Sequence, residues 1–224
     1  MLNQLFPNVV NLAPSILKAL KETLIMVSIS GVFAALIGIP IGIILVITGK
    51  GQILENKYIY SLLSKIINTL RSIPFVILLT VIPGLVRLIV GTTIGVKGAI
   101  VPLIIGSTPF VARQVELALL KIDSGVIEAY QAMGFSEFDI IFKVLLREGR
   151  GGIVQAITLS LINLVGFSAI AGSVGGGGLG DFAVRYGYNM FKEDIMLVTV
   201  IIILVIVFSI QYIGDLIYRK INKN

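Results

Sequence analysis

Long apolar segments without any charged residue make up most of the chain, and short polar stretches separate them. Residues 23–49, 151–180 and 195–214 contain no Asp, Glu, Lys or Arg. An α-helix rises about 1.5 Å per residue, so about 20 such residues cross a hydrocarbon core of about 30 Å. The pattern therefore predicts an all-α membrane protein that crosses the bilayer several times.

Five mostly apolar segments are long enough to cross the bilayer, and together they predict a single transmembrane domain over residues 1–224. The predicted spans are residues 20–49, 58–86, 98–120, 151–172 and 194–218. In the first span, Ala34, Gly38 and Gly42 recur every fourth residue, and small residues at this spacing permit close helix packing. The longest polar stretch between spans is residues 121–149, called the connector below.

Proline and glycine interrupt two of the five segments. Pro74 and Pro83 lie inside the second span, which we therefore expect to be broken or bent. Residues 172–180, after the fourth span, are too rich in glycine for a regular helix. We expect a turn there, followed by a polar loop over residues 181–194.

The distribution of basic residues decides between the two possible orientations. Five spans place the termini on opposite sides, and short loops that carry more Lys and Arg lie in the cytoplasm. With the C-terminus inside, the inner segments hold twelve basic residues: Lys50, Lys57, Lys65, Arg71, Arg113, Lys121, Lys143, Arg147, Arg150, Arg219, Lys220 and Lys223. The outer segments hold six: Lys18, Lys21, Arg87, Lys97, Arg185 and Lys192. The sequence thus predicts an outer N-terminus, a cytoplasmic C-terminus and a cytoplasmic connector.

Composition narrows the classes of function. Of 224 residues, 56% are hydrophobic and only 13% are charged, so we attribute the net charge of +6 to membrane topology and expect no nucleic-acid partner. The chain has neither Cys nor His, which excludes thiolate chemistry, Cys-ligated metals and the commonest general base. A membrane-embedded enzyme would have to use carboxylates, Lys, Ser or Tyr alone. We therefore predict a protein that is not an enzyme and has no metal site.

The connector has the signals of two short helices with capped ends. Asp123 or Ser124 can cap the start of the first helix, and Gly134 can end it in the left-handed conformation. Ser136 offers a second cap, with Asp139 three residues later in a capping-box arrangement. Two interpretations stay open, an amphipathic connector that lies on the bilayer and a handle for a soluble partner.

Charged side chains offer no clear ion or nucleotide site. Gly49 and Lys50 are followed by Gly51, so the Ser or Thr of a phosphate-binding loop is missing. Acidic residues avoid the middle of the spans, which counts against an ion-coupled carrier. Arg113 and Glu116, three residues apart, are expected to form an ion pair, with a proton path as the less favoured alternative.

Polar and glycine residues near the fourth span are the candidates for a pathway or a gate. They are Ser160, Asn163, Ser168, Gly175 and Gly176. Polar side chains in membrane helices hydrogen-bond between helices more often than they bind substrate. For residues 172–180 we favour a packed outer gate or docking loop, with a plain linker as the alternative.

Several motifs resemble those of ATP-binding-cassette (ABC) importer permeases. Glu128-Ala129 followed by Gly134 resembles the cytoplasmic coupling loop of that family, with Tyr130 at the position of an Ala and Arg147 at that of a Pro. Residues 69–75 and 109–116 are similar to the start of a core helix and to the segment before the loop. Residues 175–188 look like the outer loop of the methionine-importer subfamily.

The resemblance implies the permease subunit of a type I ABC importer for methionine or a related amino acid. It implies a homodimer in the bacterial cytoplasmic membrane, with two ABC ATPase subunits and an extracytoplasmic substrate-binding protein. ATP would bind to the ATPase partner, and this chain would need no cofactor. The residues that would contact the ATPase are Glu128, Ala129, Tyr130, Ala132, Met133 and Gly134. The alternative is an ion-coupled carrier or channel for small solutes that works without an ATPase.

Overall fold

Helices form all the regular structure in residues 7–222, the part of the chain that this computed structural model describes. The α-helices are α1 (Pro7–Asn11), α2 (Ala13–Thr48), α3 (Lys57–Ser72), α4 (Phe75–Val81), α5 (Pro83–Val90), α6 (Gly95–Leu119), α7 (Ser124–Ala132), α8 (Glu137–Asp139), α9 (Leu146–Ala171), α10 (Gly178–Phe182) and α11 (Glu193–Asn222). Two π-helical segments are π1 (Ile140–Leu145) and π3 (Ala183–Tyr188), and between α9 and α10 lies π2 (Gly172–Gly176), which is kinked at Val174 and Gly175. The all-α prediction is confirmed.

Five helical segments overlap the predicted spans. Four of them are long and apolar enough to cross a membrane, namely Ala13–Thr48, Gly95–Leu119, Glu137–Gly176 and Glu193–Asn222. The pair α3 and α4 forms a fifth if it counts as one bent span. The ends differ most at the fourth span, where the continuous helix begins at Glu137, whereas the sequence places the start of the span at residue 151. The second half of the connector is therefore helical.

The second span is broken at the expected prolines. Helices α3 and α4 meet at an angle of 96°, and Pro74 precedes the first residue of α4. A proline disfavours the helical conformation in the residue before it, so α3 ends at Ser72 and the chain turns at Ile73. Pro83 then starts α5, in the first turn of a helix where its missing N–H is not needed.

The chain forms two compact units, and each long helix contributes residues to both. The first unit holds the described residues up to Phe33, with Ile73–Ser107 and Leu161–Gln211; the second holds Ala34–Ser72, Thr108–Ser160 and the described residues from Tyr212 onward. In the first unit, Met26, Leu103, Leu164, Leu179 and Ile195 are fully buried in one apolar cluster. The rings of Phe75 and Phe167 stack on each other, with centroids 4.4 Å apart, and pack in the same cluster.

In the second unit, the small-residue stripe on α2 permits the close packing that the sequence predicts. A Cβ atom added to Gly38 would lie 2.7 Å from Val111 Cβ, and one added to Gly42 would lie 2.7 Å from the Ala112 carbonyl oxygen. Only glycine therefore lets α2 approach α6 this closely at these two positions. Ala34 is buried in the same cluster.

The prediction of a polar loop over residues 181–194 is wrong. Apart from a short turn, this stretch is helical in α10, π3 and the start of α11. Asp181 and Arg185 pair across one turn at 3.0 Å, and the buried Phe182 ring lies 4.9 Å from the Tyr186 ring. The aromatic side chains thus pack onto the core and keep the segment helical, although its polar composition predicts a loop.

Candidate functional site

Helix α7 of the connector has capped ends, as the sequence predicts. Asp123 Oδ1 accepts a hydrogen bond of 2.9 Å from the Gly125 N–H and caps the first turn. At the other end, the Met133 N–H donates to the Ala129 carbonyl, and Gly134 follows with φ of +79°. This conformation is costly for other residues, which explains the glycine.

The second cap forms a variant of the expected capping box. The Ser136 hydroxyl oxygen accepts from the Asp139 N–H over 3.2 Å, which is the predicted half. The Asp139 carboxylate accepts from the Ser136 hydroxyl over 2.6 Å, whereas in a capping box it would accept from the Ser136 N–H. Asp139 also pairs with Lys143 at 2.5 Å, so both ends of α8 are fixed locally.

One face of α7 is exposed and the other anchors it. Of the six residues predicted to contact an ATPase, Glu128, Ala129, Ala132, Met133 and Gly134 are exposed, and Tyr130 is half-buried. Met133 has an exposed fraction of 61%. The opposite face carries Ile127, which packs against a buried cluster that includes Leu119 and Leu145. The structure thus brings the predicted coupling residues together on one accessible surface.

Sequence reasoning missed three phenylalanines beside this surface. Phe135 follows Gly134, and Phe138 and Phe142 lie one helical turn apart on α8 and π1, with exposed fractions of 72% and 65%. Contiguous exposed apolar patches mark surfaces that contact another protein or a membrane. The helical spacing of Phe138 and Phe142 was the signal that could have identified them.

The base of the connector is packed tightly between α6 and α9. A Cβ atom on Gly152 would lie 3.1 Å from Ala118 Cβ, so the start of α9 lies against the last turn of α6. Loop residues Gly51 to Ile53, together with Leu119, Glu128 and Gln131, line a small cavity of about 90 Å³ under α7. A displacement of α7 would therefore act directly on these two long helices.

The predicted ion pair of α6 forms and has a third partner. Arg113 Nη1 donates to Glu116 Oε2 over 2.6 Å. The Tyr60 hydroxyl of α3 donates to Glu116 Oε1 over 3.3 Å. Tyr60 could not be predicted as a partner of Glu116, because it lies 56 residues away along the chain.

The glycine segment after α9 is a packed turn, and a plain linker is excluded. Gly175, Gly177 and Gly178 have φ of +95°, +79° and +76°. Glu22 Oε2 accepts from the Gly178 N–H and Thr23 Oγ1 accepts from the Leu179 N–H, each over 2.8 Å. Two consecutive side chains of α2 thus hold the turn within the first unit.

The candidate pathway residues differ in accessibility. Ser160 and Ser168 are buried, and their hydroxyls donate to the carbonyls of Ala156 and Val165 on the same helix, each over 2.7 Å. Of the other three candidates, Asn163 and Gly175 are half-buried and Gly176 is buried. A role of these five residues in a pathway or gate stays a prediction.

Residues 38–223 match the family of binding-protein-dependent transport system inner membrane components. The chain is 47% identical over 207 residues to the probable D-methionine transport system permease protein MetI of Vibrio cholerae, with 92% of each chain covered. It is 45% identical over 180 residues to the methionine import system permease protein MetP of Bacillus subtilis, with 80% of this chain and 81% of that chain covered.

A solved structure agrees with these relatives. The chain is similar to a chain of the MetNI methionine ABC transporter in an inward-facing conformation, with a TM-score of 0.89 and 46% identity. The similarity covers 92% of this chain and 95% of that chain. The resemblance inferred from the sequence motifs is confirmed. This chain belongs to the family of binding-protein-dependent transport system inner membrane components.

Proposed function

We propose that this chain is the transmembrane permease subunit of an ATP-driven importer for methionine or a related amino acid. The observation that carries the proposal is the connector, in which a short capped helix presents Glu128, Ala129 and Met133 to solvent. Because this chain lacks a phosphate-binding loop, ATP hydrolysis requires a separate ATPase subunit. Helix α7 is the exposed element that such a subunit can contact. The names of both relatives, which refer to methionine, support the substrate class.

The functional assembly is a homodimer with two ATPase subunits and an extracytoplasmic substrate-binding protein. Five spans supply half of a pathway, and the second copy supplies the other half. The apolar side chains exposed along α11, among them Leu197, Val200, Leu204 and Phe208, are available to lipid and to the second copy. ATP binds to the ATPase subunits, so this chain needs no cofactor of its own.

Transport follows from movement of α7 as a rigid lever. Closure of the ATPase subunits on ATP displaces α7, and Ile127 passes the displacement to Leu119 of α6 and Leu145 of π1. Helix α9 continues directly from π1, so the same movement reaches the fourth span. The assembly thereby alternates between two arrangements whose equilibrium ATP binding biases.

The N-terminus lies outside and the C-terminus in the cytoplasm. The basic residues assigned to the inner side all belong to the second unit, apart from Lys223, which lies outside the described residues. The connector belongs to the same unit. The glycine turn at Gly175 and Gly176 then faces outward, where it serves as a gate with Asn163, Ser160 and Ser168 along the pathway.

Uptake of radiolabelled methionine into proteoliposomes tests the proposal. The chain is reconstituted with the ATPase and the binding protein of a methionine importer, with ATP supplied on the ATPase side. We expect uptake that requires ATP and stops with an ATPase variant that binds ATP but does not hydrolyse it. Uptake that persists with this variant would support the ion-coupled carrier instead. Competition by unlabelled D-methionine, L-methionine and other amino acids defines the substrate class.

A further inference from the structure

Glu116 is a charged side chain inside the second unit, with an exposed fraction of 1%. Its two carboxylate oxygens accept from two different helices. Arg113 of α6 donates to Oε2 over 2.6 Å, and Tyr60 of α3 donates to Oε1 over 3.3 Å. The carboxylate therefore bridges α3 and α6.

Stability alone does not account for this bridge. Burial of the Glu116 carboxylate costs several kcal/mol, and its partner Arg113 keeps an exposed fraction of 24%, so the pair recovers only part of that cost. Apolar residues of similar volume at such a position are often equally or more stabilising. The neighbours Val115 and Leu119 show that an apolar cluster already forms at this end of α6. A directional hydrogen bond, in contrast to apolar contacts, fixes the position of one helix along the other.

The bridge lies at the base of the connector. The Glu116 carbonyl accepts from the Leu120 N–H over 3.0 Å, so Glu116 belongs to the last turn of α6. Leu119, in the same turn, packs against Ile122 and Ile127 of the connector. Any displacement of α7 therefore reaches Glu116 within about one helical turn.

Helix α3, on the other side of the bridge, is attached to α6 at two further points. Ile67 is buried in one cluster with Ala112, and the Arg71 guanidinium lies 5.9 Å from the centre of the Phe110 ring. Beyond Arg71 the chain bends by 96° into α4. The three contacts make α3 a rigid link between the connector and the bend in the second span.

We infer that Glu116 is a positioning residue for transport: through Tyr60 it ties α3 to the connector, so that displacement of α7 moves the bent second span. Arg113 holds the carboxylate through Oε2 and so leaves Oε1 facing Tyr60. The inference rests on the proposed function, because it assigns the route by which an ATPase-driven displacement travels.

The substitution Tyr60→Phe tests the bridge with the loss of one hydroxyl. We expect methionine uptake per ATP hydrolysed to fall about tenfold, since a hydrogen bond to a charged group contributes an amount of that order. Assembly with the ATPase should stay unchanged, and the melting temperature should fall by only a few degrees, because one hydrogen bond is lost. Tyr58→Phe is the matched control, because Tyr58 is on the same helix with an exposed fraction of 88%. An unchanged ratio in Tyr60→Phe would overturn the inference.

The double substitution R113M/E116L separates positioning from stability. It replaces the ion pair with apolar residues, so we expect a folded complex that hydrolyses ATP but transports poorly. A complex that melts like the parent and transports equally well per ATP would contradict the inference. If the double variant does not fold, Tyr60→Phe still decides the question.

A distance measurement tests the link without reference to substrate. Because the chain has no cysteine, spin labels can be attached to K65C and E137C alone. The complex holds two copies of the chain, so we expect a narrow peak for the distance between α3 and α8 of one copy, beside the distances between copies. This peak should be similar with and without ATP and broader after Tyr60→Phe. Equal distributions in both proteins would refute the link. Absence of methionine uptake by the parent complex would instead refute the proposed function.

Discussion

The Tyr130 ring lies edge-on against the Phe135 ring, with centroids 5.1 Å apart and planes at 83°. The two residues flank the left-handed Gly134, and the Phe135 N–H donates to the Tyr130 carbonyl over 3.2 Å. The ring pair therefore closes the turn between α7 and α8. This contact explains a tyrosine where the coupling loop of the family has an alanine, and it leaves Glu128 and Ala129 accessible.

Tyr130→Ala should loosen the turn without abolishing transport. Edge-to-face aromatic pairs contribute about 0.5–1.5 kcal/mol beyond the area they bury, and this pair is only partly buried. We expect faster amide hydrogen exchange at residues 133–136, and methionine uptake within about threefold of the parent, given this magnitude. Complete loss of uptake with normal exchange would show that Tyr130 acts through the direct ATPase contact that the family resemblance implies, and not through the turn.

Glu128→Arg should separate the permease from its ATPase. Glu128 is exposed in the middle of α7, so reversal of its charge changes the accessible surface and leaves the core intact. We expect reduced co-purification of the ATPase and loss of ATP-dependent uptake, with normal membrane insertion. Glu193→Arg, at an exposed acid in the first turn of α11, is the control. Undiminished association and uptake in Glu128→Arg would argue against the coupling role.

Gly134→Ala should destabilise the end of α7 through the backbone alone. A Cβ atom at this position meets no other atom within 4 Å, but φ of +79° disfavours any side chain. We expect a cost of about 1 kcal/mol, measured as faster hydrogen exchange over residues 129–135. Gly84→Ala is the matched control, because its Cβ would also meet open space, on helix α5. Similar exchange in both variants would contradict the backbone argument.

The sequence was sufficient for features with local causes. The break at Pro74, the cap at Asp123 and the turn at Gly134 follow from the chemistry of one or two neighbouring residues. The charge-free runs predicted the long helices for the same reason. Such signals can be recognised without knowledge of the tertiary structure.

Features that depend on partners far away along the chain could not be predicted from the sequence. Thr23 holds the amide of Leu179 from 156 residues away, and Tyr60 reaches Glu116 from 56 residues away. The sequence predicts a helix after the Ser136 cap, but not its continuation into the fourth span, because Lys143 and Arg147 lie between them and charge-free runs were used to locate spans. Polar composition and helical structure are compatible once one face of the helix is buried.

Thr23→Val should destabilise the glycine turn. The change keeps the shape of the side chain but removes the acceptor for the Leu179 N–H, in a site where Thr23 has an exposed fraction of 3%. A buried N–H without a partner costs about 1–3 kcal/mol. We expect a lower melting temperature of the detergent-solubilised protein, with Ser28→Ala, at an exposed position of the same helix, as the control. Equal melting temperatures would show that the turn does not depend on this bond.

Arg147→Pro should be tolerated, although proline inside a helix normally costs about 3 kcal/mol because its ring meets the carbonyl four residues earlier. Here the wide π1 segment ends just before Arg147, and the Leu146 N–H donates to Ile141, five residues back. Arg147 is also the second residue of α9, and a proline is tolerated in the first turn of a helix. We expect Arg147→Pro to keep the parent melting temperature, whereas Gln155→Pro, at an exposed position in regular α9, lowers it strongly. Equal losses in both variants would show that π1 gives no such accommodation.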